Sequence, residues 1–200
     1  METKLSRDYA GAKIGMWLFL LSEVSFFFGP LALYTIFRYR HPAEFRSAST
    51  ELNLTLGTLN TVILLTSSLF AALSVSAIKK GKEKASALLI ALTAVLGAVF
   101  LFIKYIEWSA EIGRGFYPGS LALFERGKGE VLYFGLYYFL TGMHGAHVFI
   151  GVVLLSITAV LISRRTVNTN DYIKLENSAL YWHLVDIIWI YLFPLFYLIS

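Results

Sequence analysis

The chain alternates between long uncharged apolar stretches and short segments that carry nearly all of its charge. Five apolar stretches are legible, at about 14–37, 54–78, 85–112, 131–163 and 177–199. Each is long enough to cross a bilayer, because roughly 20 apolar residues at ~1.5 Å rise span a hydrocarbon core of about 30 Å. Backbone that faces lipid has no water to satisfy its peptide groups, so the stretches are expected as helices. A β-barrel is rejected, since its strands would be segments of about 10 residues alternating polar and apolar, and these runs are continuous and roughly twice as long. The expected fold is all-α: one membrane domain over 1–200, built as a bundle of five transmembrane helices, with no water-soluble domain or tail.

Composition agrees. Hydrophobic residues make up 57% and charged residues 15%, and mean hydropathy is +0.66, outside the range of an ordinary soluble domain. Charge then orients the bundle. Lys4, Arg7, Lys13, Lys79, Lys80, Lys82, Lys84, Arg164, Arg165 and Lys174 fall on one side, against Arg38, Arg40, Arg46, Arg114, Arg126 and Lys128 on the other. The majority predicts a cytoplasmic N-terminus and an outward C-terminus. The net charge of +4 reads as topology plus contact with anionic lipid. No run of basic and aromatic residues points to nucleic acid. The first span lacks a small-residue cleavage site after a short apolar core and is expected to be retained. There is no cysteine, hence no disulfide and no thiolate metal site.

Candidate chemistry rests on ionisable residues at membrane depth, where a charge costs ~2.5 to 3.5 kcal/mol on insertion scales. Glu23 lies ~15 Å beyond Lys13 along a helix; it suits either a paired or protonated carboxyl joining helices, or a proton or lipid role. His144 and His147, three apart, share a helix face. Metal ligation by them would require further ligands, and interhelical hydrogen bonding, helped by close approach at Gly142 and Gly145, is the simpler reading. His183 and Asp186 are again three apart and suited to pair, with Asp186 ~15 Å beyond Glu176 and so level with Glu23. Asn60, Thr61, Thr66, Ser67 and Ser68 suit tight packing of the second span. Lys104 and Glu107 read as an ion pair at the membrane edge, where long side chains snorkel.

Several segments together carry a resemblance. They are Gly15-Met-Trp-Leu-Phe-Leu-Leu-Ser-Glu-Val, Asn60-Thr with Leu64-Leu-Thr-Ser-Ser, Phe100 to Trp108, Leu140-Thr-Gly-Met-His-Gly-Ala-His-Val with Gly151, and Tyr181-Trp-His-Leu-Val-Asp-Ile-Ile-Trp. In this order and spacing the chain resembles subunit III of the haem-copper terminal oxidases, the cytochrome c oxidase subunit 3 family, in its short five-helix bacterial form. The departures are Ser25, Ala146, Leu184 and, where Gln is expected, Lys104.

The resemblance implies a subunit of the bacterial cytoplasmic membrane that binds neither haem nor copper, those groups belonging to partner subunits I and II. It implies an accessory part of an enzyme that reduces O2 to water while pumping protons, fed by cytochrome c or by quinol. It further implies a V-shaped cleft holding structural phospholipids, and support of subunit I stability and proton uptake. On this resemblance Glu23 matches a buried carboxyl for proton-uptake support. His144, His147, Trp182, His183 and Asp186 match polar positions for lipid or interhelical contact, with no catalytic residue and no metal ligand. Other readings stand beside it: a related subunit of a quinol oxidase or nitric oxide reductase system, a b-type haem protein using His144 or His147 with His183, or a proton carrier built on Glu23 and Asp186.

Overall fold

The computed structural model describes residues 2–199, with side chains from 9 to 199, so the side chains of Lys4 and Arg7 lie outside the described residues. Its helices are α1 (Glu2–Arg40), α2 (Pro42–Glu51), α3 (Leu54–Lys79), α4 (Glu83–Gly113), α5 (Leu121–Phe124), α6 (Lys128–Ser163) and α7 (Ile173–Tyr197). Five of them, all but α2 and α5, are long and apolar enough to span a membrane, and no strand occurs among the described residues. The lysine-rich connections collect at one end of the bundle, the arginine-rich ones at the other.

Two segments expected as plain connections are partly helical. His41 stands before a proline, which disfavours helical backbone, and adopts φ −130° and ψ 53°; α1 breaks there. Pro42 then opens α2, where its missing N–H costs nothing. This short helix buries Phe45, Ala48 and Ser49 against the bundle. The Asn53 side chain caps α3 by accepting from the Leu56 N–H at 3.1 Å. Between α3 and α4 the chain reverses tightly. The Gly81 N–H bonds the Ile78 carbonyl and the Lys82 N–H the Ala77 carbonyl, a pattern that places Gly81 at φ +73°, where a side chain is disfavoured.

Helices α3, α4, α6 and α7 pack around one another, whereas α1 leans on α6 and α7. Half of the apolar window of α7 is buried but only 11% of that of α1, so α7 is the central strut and α1 the outlying one. The anchor of the core is Trp182 of α7, fully buried. Its ring occupies the notch left by two absent side chains. A Cβ at Gly97 of α4 would stand 2.4 Å from Trp182 Cη2, and one at Gly151 of α6 2.7 Å from Trp182 Cε3. Its indole N–H donates to Ser67 Oγ of α3 at 2.9 Å. One side chain thus ties four helices together. The close approach expected at Gly142 and Gly145 is weaker: a Cβ there would meet Trp108 at 3.3 Å and Leu101 at 3.9 Å. Gly145 faces an α4 side chain that leaves room, and Gly142 one that would have to give by a few tenths of an ångström.

Large side chains at Gly97 or Gly151 are therefore expected to prevent native packing, and Trp182→Ala to cost about 3–5 kcal/mol. Gly145→Ala should shift stability by no more than ~0.5 kcal/mol, the range of a substitution that meets only ordinary contacts. Thermal denaturation of the detergent-solubilised protein separates these outcomes.

Candidate functional site

Polar contacts at three levels hold α1 to the bundle. At the lysine-rich end Glu176 receives the Tyr9 hydroxyl at 2.5 Å, Lys79 Nζ at 2.7 Å and Lys13 Nζ at 3.3 Å. Midway, Glu23 Oε2 meets His147 Nε2 of α6 at 2.7 Å. At the other end the Tyr34 hydroxyl donates to the Leu195 carbonyl. The middle contact has a chemical consequence. His147 Nδ1 faces the Met143 carbonyl at 2.7 Å, and a carbonyl only accepts, so Nδ1 carries a proton. Nε2 then either accepts from a carboxylic acid or, in the imidazolium, donates to a carboxylate. In both cases the Glu23–His147 pair is neutral as a unit, with one proton between two atoms.

Beside these contacts an open groove separates α1 from α3 and α7. Its wider part, about 630 Å³, is lined by Lys13, Trp17, Ala72, Val75, Glu176, Ala179, Leu180 and His183. A narrower apolar part, about 270 Å³, continues past Leu20, Leu21, Val24, Leu184 and Ile187. The groove is mostly apolar, with the Lys13 ammonium and the Glu176 carboxylate in the wall of its wider part.

The histidines and Asp186 part company in the structure. His183 does not pair with Asp186; its Nδ1 meets Ser68 Oγ of α3 at 2.7 Å. Asp186 is 2% exposed, and neither of its oxygens has a hydrogen-bond partner among the described residues. The helical twist between positions 183 and 186 is enough to aim one at the groove and the other into the core. Val24 and Ile187 line the same stretch of groove, which sets Glu23 and Asp186 at similar depth as expected, but Glu23 turns to α6 and Asp186 inward. His144 and His147 also diverge. His144 is fully buried, stacked on Trp189 at 5.2 Å and against the edge of Phe100 at 5.5 Å.

Lys104 is the largest departure from expectation. It pairs with Glu107 as expected, but its side chain turns into the bundle instead of snorkelling. With 8% exposure it lies inside the bundle, donating to Glu107 Oε2 at 3.1 Å, the Tyr137 hydroxyl at 3.1 Å and the Tyr197 hydroxyl at 2.6 Å. Its ammonium also sits 5.1 Å over the Trp189 ring. Glu107, 1% exposed, accepts from Tyr197 at 2.5 Å and Tyr137 at 3.0 Å through Oε1. The helix carries Lys104 on the face turned to α6 and α7, so the side chain meets partners there before it can reach lipid. Further out, Glu111 pairs with Arg114, Arg114 with Glu51 at 3.6 Å, and Arg126 with Glu51 at 2.9 Å and Glu130 at 3.3 Å. Hydrogen bonding to the Glu51 carboxylate raises the Arg126 pKa above its ordinary value. Sequence reasoning missed Tyr137 and Tyr197 as members of this network. The signal was available in the four-residue spacing of Tyr133, Tyr137 and Thr141 ahead of His144, all on the buried face of α6.

No three His, Cys, Asp or Glu side chains among the described residues gather as a metal-binding group. Neither histidine weighed as a partner of His183 for haem is free to serve: His147 has both ring nitrogens engaged and His144 is enclosed by aromatic rings. What the arrangement can do is hold charge and protons inside a membrane bundle.

Removing one member of the Lys104–Glu107 pair strands the other, so Lys104→Met is expected to cost about 3–5 kcal/mol. The double variant Lys104→Met, Glu107→Gln should recover most of that loss. Double-mutant analysis of denaturation midpoints measures the coupling; strict additivity would show that the two charges do not depend on each other.

The profile described as cytochrome c oxidase subunit III matches residues 4–200. A protein named cytochrome c oxidase subunit 3 from Thermostichus vulcanus is 33% identical over 189 residues, covering 94% of this chain and 87% of its own length. A second of that name, from Synechocystis, is 32% identical and covers 92% of this chain and 74% of its own. A protein named probable quinol oxidase subunit 3 from Staphylococcus saprophyticus is 30% identical, covering 94% of this chain and 89% of its own. With its five spanning helices and a match over nearly its whole length, the chain belongs to the cytochrome c oxidase subunit III family.

Proposed function

We propose that this chain is the non-redox third subunit of a proton-pumping haem-copper oxidase in a bacterial cytoplasmic membrane, reducing O2 to water. In this reading it lies against subunits I and II, which hold the haems and copper, and it stabilises subunit I and supports its proton uptake. The observation that carries the reading is the Glu23–His147 pair: a carboxyl at mid-membrane, on the least embedded helix, sharing one proton with an imidazole at 2.7 Å. A proton released from such a pair leaves one negative charge on it, which a proton taken up from water at the helix surface returns to neutral. Family membership supports the rest.

The groove beside α1 suits a phospholipid. Its apolar walls take an acyl chain, and the Lys13 ammonium that lines it, half-exposed although paired with Glu176, can also meet a phosphate. His183 borders that groove, whereas His144, Trp182 and Asp186 are core contacts between helices, so lipid contact is assigned to the former and interhelical contact to the latter. The N-terminus is assigned to the cytoplasm on the lysine-rich end. Relatives named for cytochrome c oxidase and for quinol oxidase match to a similar degree, so the donor is either of these. A free-standing b-type haem protein is disfavoured by the engaged histidines, and a carrier built on Glu23 and Asp186 by their opposite orientations.

In the purified complex, Glu23→Gln is expected to leave subunit III bound while sustained turnover or proton release per electron falls, with several-fold faster inactivation during catalysis. His147→Leu should reproduce the defect. Oxygen consumption with reduced cytochrome c and with quinol in turn identifies the donor in the same assay. Pumping and inactivation kinetics equal to the parent in both variants would reduce the pair to a packing contact.

A further inference from the structure

We propose that the seam between α4 and α6 binds one anionic phospholipid in the leaflet at the lysine-rich end, its phosphate held at Lys84, Arg164 and Arg165 and an acyl chain lying along the seam. Three adjoining hollows mark the place. The outermost, about 330 Å³, is bordered by Glu83, Lys84, Ser163 and Arg165. The next, about 420 Å³, is bordered by Ala91, Ala159 and Arg164, and the innermost, about 340 Å³, by Ala94, Ala98, Val152 and Ser156. Each shares residues with its neighbour, Ala87 and Ser163 at the first boundary and Ala91 and Ala159 at the second, so the three form one trough. It lies on a different face from the groove beside α1, a helix that does not touch α4.

Along its length the trough suits an acyl chain. Its alanines leave depth between the flanking Leu88 and Val95 of α4 and Val160 of α6. Its hydroxyls are turned inward on their own helix: Ser156 donates to the Val152 carbonyl at 2.7 Å and Ser163 to the Ala159 carbonyl at 2.9 Å. From Lys84 to Ala98 α4 rises ~21 Å, more than the ~15 Å that one leaflet contributes to the hydrocarbon core.

The mouth has the opposite character. Lys84, Arg164 and Arg165 are exposed, and among the described residues no carboxylate pairs with any of them. Glu83, the carboxylate that borders the mouth, accepts from the Thr169 N–H at 3.3 Å and so faces the connection between α6 and α7. Helix α4 starts here without a side-chain cap, which adds the positive field of its first-turn N–H groups. Unpaired cations at one end of an apolar trough match a molecule with an anionic head and a hydrocarbon tail. A transmembrane helix of a partner would find no free hydrogen-bonding side chain in the trough to hold it. The inference rests on this seam alone and is independent of the oxidase role.

The test uses the purified complex exchanged into nanodiscs of phosphatidylglycerol and phosphatidylcholine. Native mass spectrometry is expected to find one retained phosphatidylglycerol fewer in the variant carrying Lys84→Gln, Arg164→Gln and Arg165→Gln, and one fewer in Ala91→Phe, which fills the trough, with retained phosphatidylcholine unchanged. The three charge changes fall at exposed positions, so the complex is expected to assemble. The parent's phosphatidylglycerol count in either variant, or an equal loss of phosphatidylcholine, overturns the proposal. Cryo-electron density of the parent in the same nanodiscs should show a phosphate beside Arg164 and a chain over Ala91 and Ala159; a protein helix seated there, or a seam without lipid, overturns it as well.

Discussion

The bundle depends on one indole ring seated where two side chains are missing. In lipid there is no gain from hiding apolar surface from water between helices, so association rests on contact distance and on hydrogen bonds that have no solvent competitor. Trp182 supplies both. Gly97 and Gly151 let its ring approach α4 and α6 at distances that a methyl group would forbid, and Ser67 binds its only polar atom. Because the ring is fixed on all sides, the register of α7 against three neighbours follows. That register sends Asp186 and Trp189 inward and His183 toward the groove.

From that core the polar groups sort by depth. Near the arginine-rich end, ion pairs among Glu51, Glu111, Arg114, Arg126 and Glu130 link α2, α4 and α6. Below them Lys104 and Glu107 are enclosed by tyrosine hydroxyls and aromatic faces. An ammonium and a carboxylate placed this way are held by several partners each, which is the condition under which buried charge is tolerated. The chain therefore carries Lys104 as part of a satisfied cluster and not as a snorkelling side chain.

Helix α1 obeys a different logic. It makes few interior contacts and is attached by Tyr9 and Lys13 on Glu176, Glu23 on His147, and Tyr34 on a carbonyl of α7. Attachment by separate polar points leaves the groove between them open to lipid. The neutral, proton-sharing character of the central point links this loose attachment to the proposed supporting role in proton uptake.

The five spans and their helical class were legible in the sequence, because bilayer thickness and unsatisfied backbone leave helices of this length as the only solution; where each helix begins was not, since α1 runs from Glu2 and α7 from Ile173. Glu23, too, stood out as a mid-membrane carboxyl by position alone. The partners did not. Residues three apart share a face only to within part of a turn, so the spacing of His183 with Asp186, or His144 with His147, could not say that each would choose a different neighbour. Lys104 looked peripheral by distance along its helix, and only the facing tyrosines of α6 and α7 made it interior. Depth along one helix is a property of the chain; which way a side chain turns depends on what the neighbouring helices place opposite it, and that is decided by tertiary packing.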